Sequence, residues 1–488
     1  MENNRKGETG RQILRIFRVN FKETETMTKN KFSRRRFIGA LSVGTAGLAA
    51  AGSLPVFGKP SGTRVFSGGT SSGSSNLAIL GGEPVVKNKV WPKWPYVDDK
   101  MVEKVVETTK SGLWCRIDNR VNGTVINFER EYAKLVGARG CVATGSGTQA
   151  LNTVVEAMGI GPGDEVITSP YTDMGTIASI LVSRALPVMA DIDKESFQID
   201  PDDVERKITQ NTRAIMPVHM MGQPCHMERI MDIARKHNLR VIEDACQAHL
   251  AVYQGKTVGL IGDAGCFSFQ SSKTIACGEG GGIISNNEKL LDDCYTVQNH
   301  GTNKQGRSVT IGSKYRMNEL EGALLLSQLE GARERFETRN RNAAYLTSKL
   351  KDFPGLRPQK LYEGTESGSF YLYTMAYHPE YFNDAPRDTF LKAVTAEGIT
   401  LSPYIANGLH REPWTSHILT LPEYTKMFGE KRLNNFRENL ELPNCDHVCA
   451  HMVMLWASGP LLATQSDMDD VLNAIMKVYE NRDKLSSI

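Results

Sequence analysis

Hydrophobic and polar positions along this chain switch repeatedly between two spacings. Residues 102–110 and 127–136 carry apolar side chains at helical intervals, and Cys141-Val142-Ala143 is a short apolar run. Residues 150–158 return to the helical pattern, 165–168 read as a strand, and 176–183 as a helix. Residues 187–190, 214–218, 240–243 and 265–269 read as further buried strands, with a helix over 227–237 between two of them. Strands alternating with helices predict an α/β fold: a mostly parallel sheet covered by helices on both faces. Ligands of such sheets sit at the carboxyl ends of the strands. Later, Arg387-Asp388 opens a helix ending near Gly398, residues 399–404 read as a strand leading toward His410, and 466–484 form a closing helix with Ser466 as its cap. No repeat of 20–50 residues is visible.

Composition narrows the class. Hydrophobic residues at 40% and charged residues at 23% exclude disorder throughout, a collagen and a multi-span membrane protein. The net charge of +3 is unevenly placed: residues 1–51 hold 11 Lys/Arg against 4 Asp/Glu, a surplus of 7, so the remaining 437 residues carry −4. That distribution argues against a nucleic-acid surface. Ser33-Arg34-Arg35-Arg36-Phe37 precedes an uncharged run of small and apolar residues from Ala40 to Ala51, an export signal that resembles the twin-arginine type. The run is short for a membrane span, so a cleaved signal (1–51) and a periplasmic protein without stable membrane insertion are expected, cytoplasmic if the signal is not used. Met27 is the expected start. Residues 52–76 are a Gly/Ser-rich linker. Nine scattered cysteines without CxxC pairs predict no disulfide framework, and the spacing of Cys445, His447, Cys449 and His451 does not suit a structural zinc site, so no metal is expected.

Three segments carry chemistry. Gly145-Ser146-Gly147-Thr148 between a strand and a helix would let backbone N–H groups and the Thr148 hydroxyl bind a phosphate, although such turns are also common as plain structure. It is neither GxxxxGK[ST] nor GxGxxG, so nucleoside triphosphate and dinucleotide sites lack their defining residues. An apolar strand ending in Glu243-Asp244, followed by Gln247 and His249, offers a ligand-orienting acid, a metal ligand or a helix cap. Ser268-Phe269-Gln270-Ser271-Ser272-Lys273, followed by Gly278-Glu279-Gly280-Gly281-Gly282, places a lysine beyond a buried strand. There desolvation would ease loss of its proton and allow a Schiff base with an aldehyde.

Together with Gly81-Gly82-Glu83-Pro84, Trp91-Pro92-Lys93-Trp94-Pro95, Phe128-Glu129, Pro217-Val218-His219 and Tyr315-Arg316-Met317-Asn318-Glu319, these segments resemble the DegT/StrS-type sugar aminotransferases. The resemblance covers nearly the whole chain after the linker, in the family's order. It implies the pyridoxal 5′-phosphate (PLP) fold type I, with a large domain over 77–355 and a smaller C-terminal α/β domain over 356–488. It also implies that Lys273 bonds covalently to the cofactor, Asp244 pairs with the pyridine nitrogen, Gln247 touches the ring, and Gly147, Thr148 and Ser268 hold the phosphate. The expected reaction moves an amino group from an amino acid such as glutamate or glutamine to a keto-sugar or keto-cyclitol. A PLP-dependent sugar dehydratase or isomerase and a non-catalytic sensor are the alternatives.

Two positions depart from the family pattern. Asp173, a candidate at the cofactor, stands where many members carry an aromatic residue that stacks on it; an acid cannot stack, so it would address the substrate or a cation, or Tyr171 would move in. Lys314 stands where an Asn reaches the phosphate of the neighbouring subunit, which implies a homodimer with shared sites. His410 and Arg316 are further candidates for contact with substrate.

Overall fold

The computed structural model describes residues 76–488; the segment expected to be an export signal and nearly all of the expected linker lie outside them. Helices α1 (Asp99–Ser111) and α2 (Thr124–Val136) precede strand β1 (Gly140–Thr144), which runs into α3 (Gly147–Ala157). The chain then alternates through β2 (Glu165–Thr168), α4 (Met174–Val182), β3 (Leu186–Met189), α5 (Pro201–Arg206), β4 (Thr212–Met216), α6 (Met227–His237) and β5 (Arg240–Asp244). A small hairpin, β6 (Val252–Tyr253) and β7 (Lys256–Thr257), leads to β8 (Ala264–Ser268) and β9 (Gly281–Ser285).

Seven of these strands form one sheet in the order β1-β9-β8-β5-β4-β2-β3. Strands β3, β2, β4, β5 and β8 run parallel, whereas β9 is antiparallel to both β1 and β8. The mostly parallel α/β architecture is therefore as expected. The pleat explains the unbroken apolar runs: Ile167, Val241, Phe267 and Ile284 join one hydrophobic cluster, while Val166, Ile242, Cys266 and Ile283 join another. Successive side chains point to opposite faces, and both faces are covered.

After α7 (Glu288–Gln298), α8 (Glu319–Leu329) and the long α9 (Ala332–Leu350), the C-terminal segment builds a second sheet. Of β10 (Leu356–Pro358), β11 (Thr365–Ser367), β12 (Leu372–Tyr377) and β13 (Met452–Trp456), β10, β12 and β13 pair antiparallel. Strand β11 pairs with β6 instead. Residues 399–404, expected as a strand, form only an isolated bridge from Ser402 to Met454. The closing helix spans Gln465–Glu480, and Thr464 rather than Ser466 caps it, in a reciprocal box with Asp467. Its apolar stripe, Met468, Val471, Ile475 and Val478, is buried as the pattern required. All nine cysteines are free thiols. Among the described residues no helix is long and apolar enough to cross a membrane, and no cluster of His, Cys, Asp and Glu is arranged to hold a metal ion.

Candidate active site

Two neighbouring carboxylates end β5, and the pleat sends them to opposite sides. Glu243 is fully buried and accepts from the amides of Gly259 (2.7 Å), Ile261 (2.7 Å) and Gly262 (2.6 Å). It also accepts from Nε2 of His219 at 3.0 Å, whose Nδ1 takes the amide of Cys225. Its acceptor capacity is spent on loop structure. Asp244 faces the other way, into a cavity, held by the Thr176 hydroxyl at 2.7 Å and the Cys246 amide at 3.2 Å. Thr172 supports Thr176 through a 2.7 Å hydroxyl contact.

The cavity floor comes from the turn after β1. Ser146 caps α3 by accepting from the Gln149 amide, while the amides of Gly147 and Thr148, at the helix start, have no acceptor among the described residues. Such orphan N–H groups at a helix N-terminus suit an anion. Gly147 is there for space: a Cβ would lie 2.8 Å from both Cys246 Sγ and Ser268 Cβ. Ser268 ends β8 beside it, with its carbonyl held at 2.8 Å by Nε2 of His249. The other nitrogen of His249 meets the Tyr132 hydroxyl at 2.9 Å, and burial pushes this imidazole down to about 3. His249 is therefore a neutral structural group that fixes Ser268.

Lys273 sits in the tight loop between β8 and β9, its amide bonded to the Gln270 carbonyl at 2.8 Å. Its Nζ lies 4.2 Å from the ring centre of Tyr371, whose hydroxyl is 3.0 Å from Ser272 Oγ. Gln247 is held at both ends of its amide, accepting from the Met221 amide (2.8 Å) and donating to the Tyr404 hydroxyl (3.1 Å). Burial, then Tyr371 and Asp173, push that hydroxyl upward, so Tyr404 stays protonated.

Gly147, Thr148, Asp173, Asp244, Gln247, Ser268 and Lys273 thus line one cavity of about 360 Å³. Asp173 reaches it as the cap of α4, with Oδ1 accepting the Gly175 amide at 2.8 Å. The other four candidates lie elsewhere. Tyr171 is fully buried in a separate hydrophobic cluster and does not move into the cavity. His410 is buried against Asp446, 3.0 Å from Nε2, and burial lowers its pKa. Lys314 is exposed, and Arg316 bonds Asn299 at 3.2 Å beside the end of β1. Thr176, Tyr371 and Tyr404 are site residues that the sequence reading missed. Thr176 lies one turn into an ordinary apolar helix, and the two tyrosines come from chain about 100 residues or more beyond Lys273 with no local motif.

An anion cradle, a buried acid and a lysine at the carboxyl edge of a mostly parallel sheet are the site features of a fold type I PLP-dependent enzyme. Residues 95–453 match the model of the DegT/DnrJ/EryC1/StrS aminotransferase family, and the chain belongs to that family. It is 32% identical over 427 residues to L-glutamine:scyllo-inosose aminotransferase of Streptomyces griseus, covering 83% of this chain and 98% of that protein. It is 31% identical over 430 residues to L-glutamine:2-deoxy-scyllo-inosose aminotransferase of Streptoalloteichus tenebrarius, covering 84% and 99%. Among solved structures it resembles 3-amino-5-hydroxybenzoic acid synthase, with a TM-score of 0.70 at 25% identity over 81% of this chain and 100% of that one. It also resembles an aminotransferase from Psychrobacter cryohalolentis, with a TM-score of 0.69 at 26% identity over 80% and 99%.

Proposed function

We propose that this chain binds pyridoxal 5′-phosphate and transfers the amino group of L-glutamine to a keto-cyclitol or keto-sugar, acting as an exported homodimer. The observation that carries the reading is the meeting of Lys273, Asp244 and the unsatisfied amides of Gly147 and Thr148 in one cavity. Glutamine and the cyclitol class come from the names of the relatives.

The residues present fit the cofactor. The Gly147 and Thr148 amides and the Ser268 hydroxyl would hold its phosphate, and Asp244 its ring nitrogen. Lys273 would hold its aldehyde carbon covalently. When bound, the cofactor supplies a carbonyl that accepts nitrogen and a cationic ring that stabilises charge at the carbon losing a proton. Thr176 and the Cys246 amide fix the Asp244 carboxylate, so its orientation requires no reorganisation during reaction. Cys246 itself stays a thiol, because burial and then Asp244 raise its pKa well above the ordinary value. Lys273, as an amine facing the cavity, would hold and move the proton at the reacting carbon. Asp173, Gln270, Ser272 and Tyr404 leave a polar wall suited to a polyhydroxylated acceptor.

Exposed apolar side chains support the dimer. Ile311 is 94% exposed and Val309, two residues before it, 58%, a segment that a second copy would cover; Val121 is 68% exposed. Lys314 shares the segment of Ile311 and Val309, where it could reach the partner's cavity. The paired arginines support export.

The test uses purified protein loaded with the cofactor. Glutamine should convert the visible band of the lysine-bound form to the amine form, and scyllo-inosose should restore it with an aminocyclitol detected by mass spectrometry. A band that responds to no amino donor would sink the reading.

A further inference from the structure

The WPxWP segment has no role in the site described above, and Arg339 is a cation in an unusual place. Arg339, on α9, is 1% exposed and has no carboxylate partner among the described residues. Burial, then Arg335, lowers its pKa to about 9. An uncompensated buried charge is costly and calls for a reason. Its guanidinium donates twice to one acceptor, the Ser458 carbonyl, from Nη2 at 2.9 Å and Nε at 3.3 Å. Its Cζ also lies 4.8 Å from the ring centre of Trp94. Both of these partners reach the catalytic loop. The Ser458 hydroxyl donates to the Ser272 carbonyl at 2.8 Å, and the Trp94 indole N–H donates to the Lys273 carbonyl at 3.0 Å. Pro92 and Trp94 in turn pack on Gly459, where a Cβ would meet the Pro92 carbonyl oxygen at 2.6 Å.

We infer that Arg339 is a positioning residue: through Trp94 and Ser458 it clamps the two consecutive carbonyls at Ser272 and Lys273 and fixes the direction in which the lysine enters the cavity. The inference rests on the reading of Lys273 as the cofactor-bearing lysine. The clamp uses three elements distant in sequence, the WPxWP segment, α9 and the turn after β13, to hold the middle of the loop between β8 and β9. It gives Trp94 of the WPxWP segment a function, because it presents its N–H to the loop and its face to the cation.

The experiment uses full-length holoenzyme carrying Trp94→Phe, Ser458→Ala or Arg339→Lys. Trp94→Phe keeps a ring for the cation and removes only the N–H, so folding and melting temperature should be nearly unchanged. The first readout is the pH titration of the visible band in resting enzyme, without any amino donor, which is independent of the substrate. Its midpoint should move in Trp94→Phe and Ser458→Ala. The second is steady-state kinetics, where kcat should fall about tenfold to a hundredfold with KM for the donor within about twofold. Arg339→Lys should reproduce both changes, since an ammonium cannot bridge Ser458 and lie flat on Trp94. Wild-type titration midpoint and kcat in a folded Trp94→Phe and Ser458→Ala would overturn the clamp. A wild-type enzyme with a titrating band that no amino donor changes would instead overturn the aminotransferase reading and leave the titration test of the clamp in force.

Discussion

Glu243 and Asp244 are adjacent acids with separate duties, and substitution should separate them. Glu243→Gln turns an amide donor either toward the N–H groups of Gly259 and His219 or toward those of Ile261 and Gly262, and should cost about 2–4 kcal/mol of stability, read by denaturant unfolding, while the folded fraction keeps its activity. Asp244→Asn should leave stability almost intact and lower kcat by at least about a hundredfold, since the ring nitrogen loses its ionic partner. His249 supplies a pH prediction. Its folded pKa is about 3 against an ordinary 6.5, so the unfolded chain takes up a proton that the folded chain refuses. Stability should therefore decline as pH falls from about 6.5 toward 3, and thermal melts of His249→Gln should show a shallower decline over that window. At this scale the sequence was most readable where backbone chemistry dictates residue type. Asp244 stood out at the end of a strand, and Gly147 and Lys273 in the turns that follow strands, where acidic, small or cationic residues need a reason. Tyr371, Tyr404 and Arg339 did not, because their role exists only once distant chain is folded against the loop.

Elements position these side chains, and the close approach of three of them limits what the cradle can accept. At Gly147 the start of α3 passes so near β8 and the turn after β5 that Cys246 and Ser268 would both have to move for a single methyl group. Gly147→Ala should thus weaken cofactor retention about tenfold or more, measured by gel filtration and visible absorbance, with secondary structure unchanged. The helices and the parallel strands were legible because their periods differ and both faces of the sheet are apolar. Strand β9 was not: Gly281-Gly282 read as a loose turn, yet they pair with Thr144 and Ala143 and with Ser268 and Phe267. Glycine there is demanded by proximity, since a Cβ on Gly281 would meet the Ser146 carbonyl oxygen at 2.1 Å. The expected strand over 399–404 did not form. Its apolar residues Ile399 and Leu401 are buried and β13 offers its free edge, yet the pairing is confined to the single bridge from Ser402 to Met454.

For the whole molecule, the uneven charge and the exposed apolar segment lead to one further expectation. The folded part carries a modest negative charge; Ile311 and Val309 are exposed apolar side chains on one short segment, and Lys314 is a cation three residues beyond Ile311. In the proposed dimer, the apolar residues supply the association and Lys314 reaches the phosphate in the partner's cavity as a point charge. These two duties can be separated. Ile311→Asp places a carboxylate where the second copy would bury it, and should shift the protein toward monomer in sedimentation velocity at micromolar concentration. Lys314→Ala should leave the dimer intact and weaken cofactor retention, measured by equilibrium dialysis against pyridoxal phosphate. If the cation acts across the interface, Ile311→Asp should weaken retention to the same degree as Lys314→Ala, and the double variant should be no worse than either. Additive losses would place Lys314 and the interface in separate roles, and a dimer that survives Ile311→Asp would move the interface elsewhere.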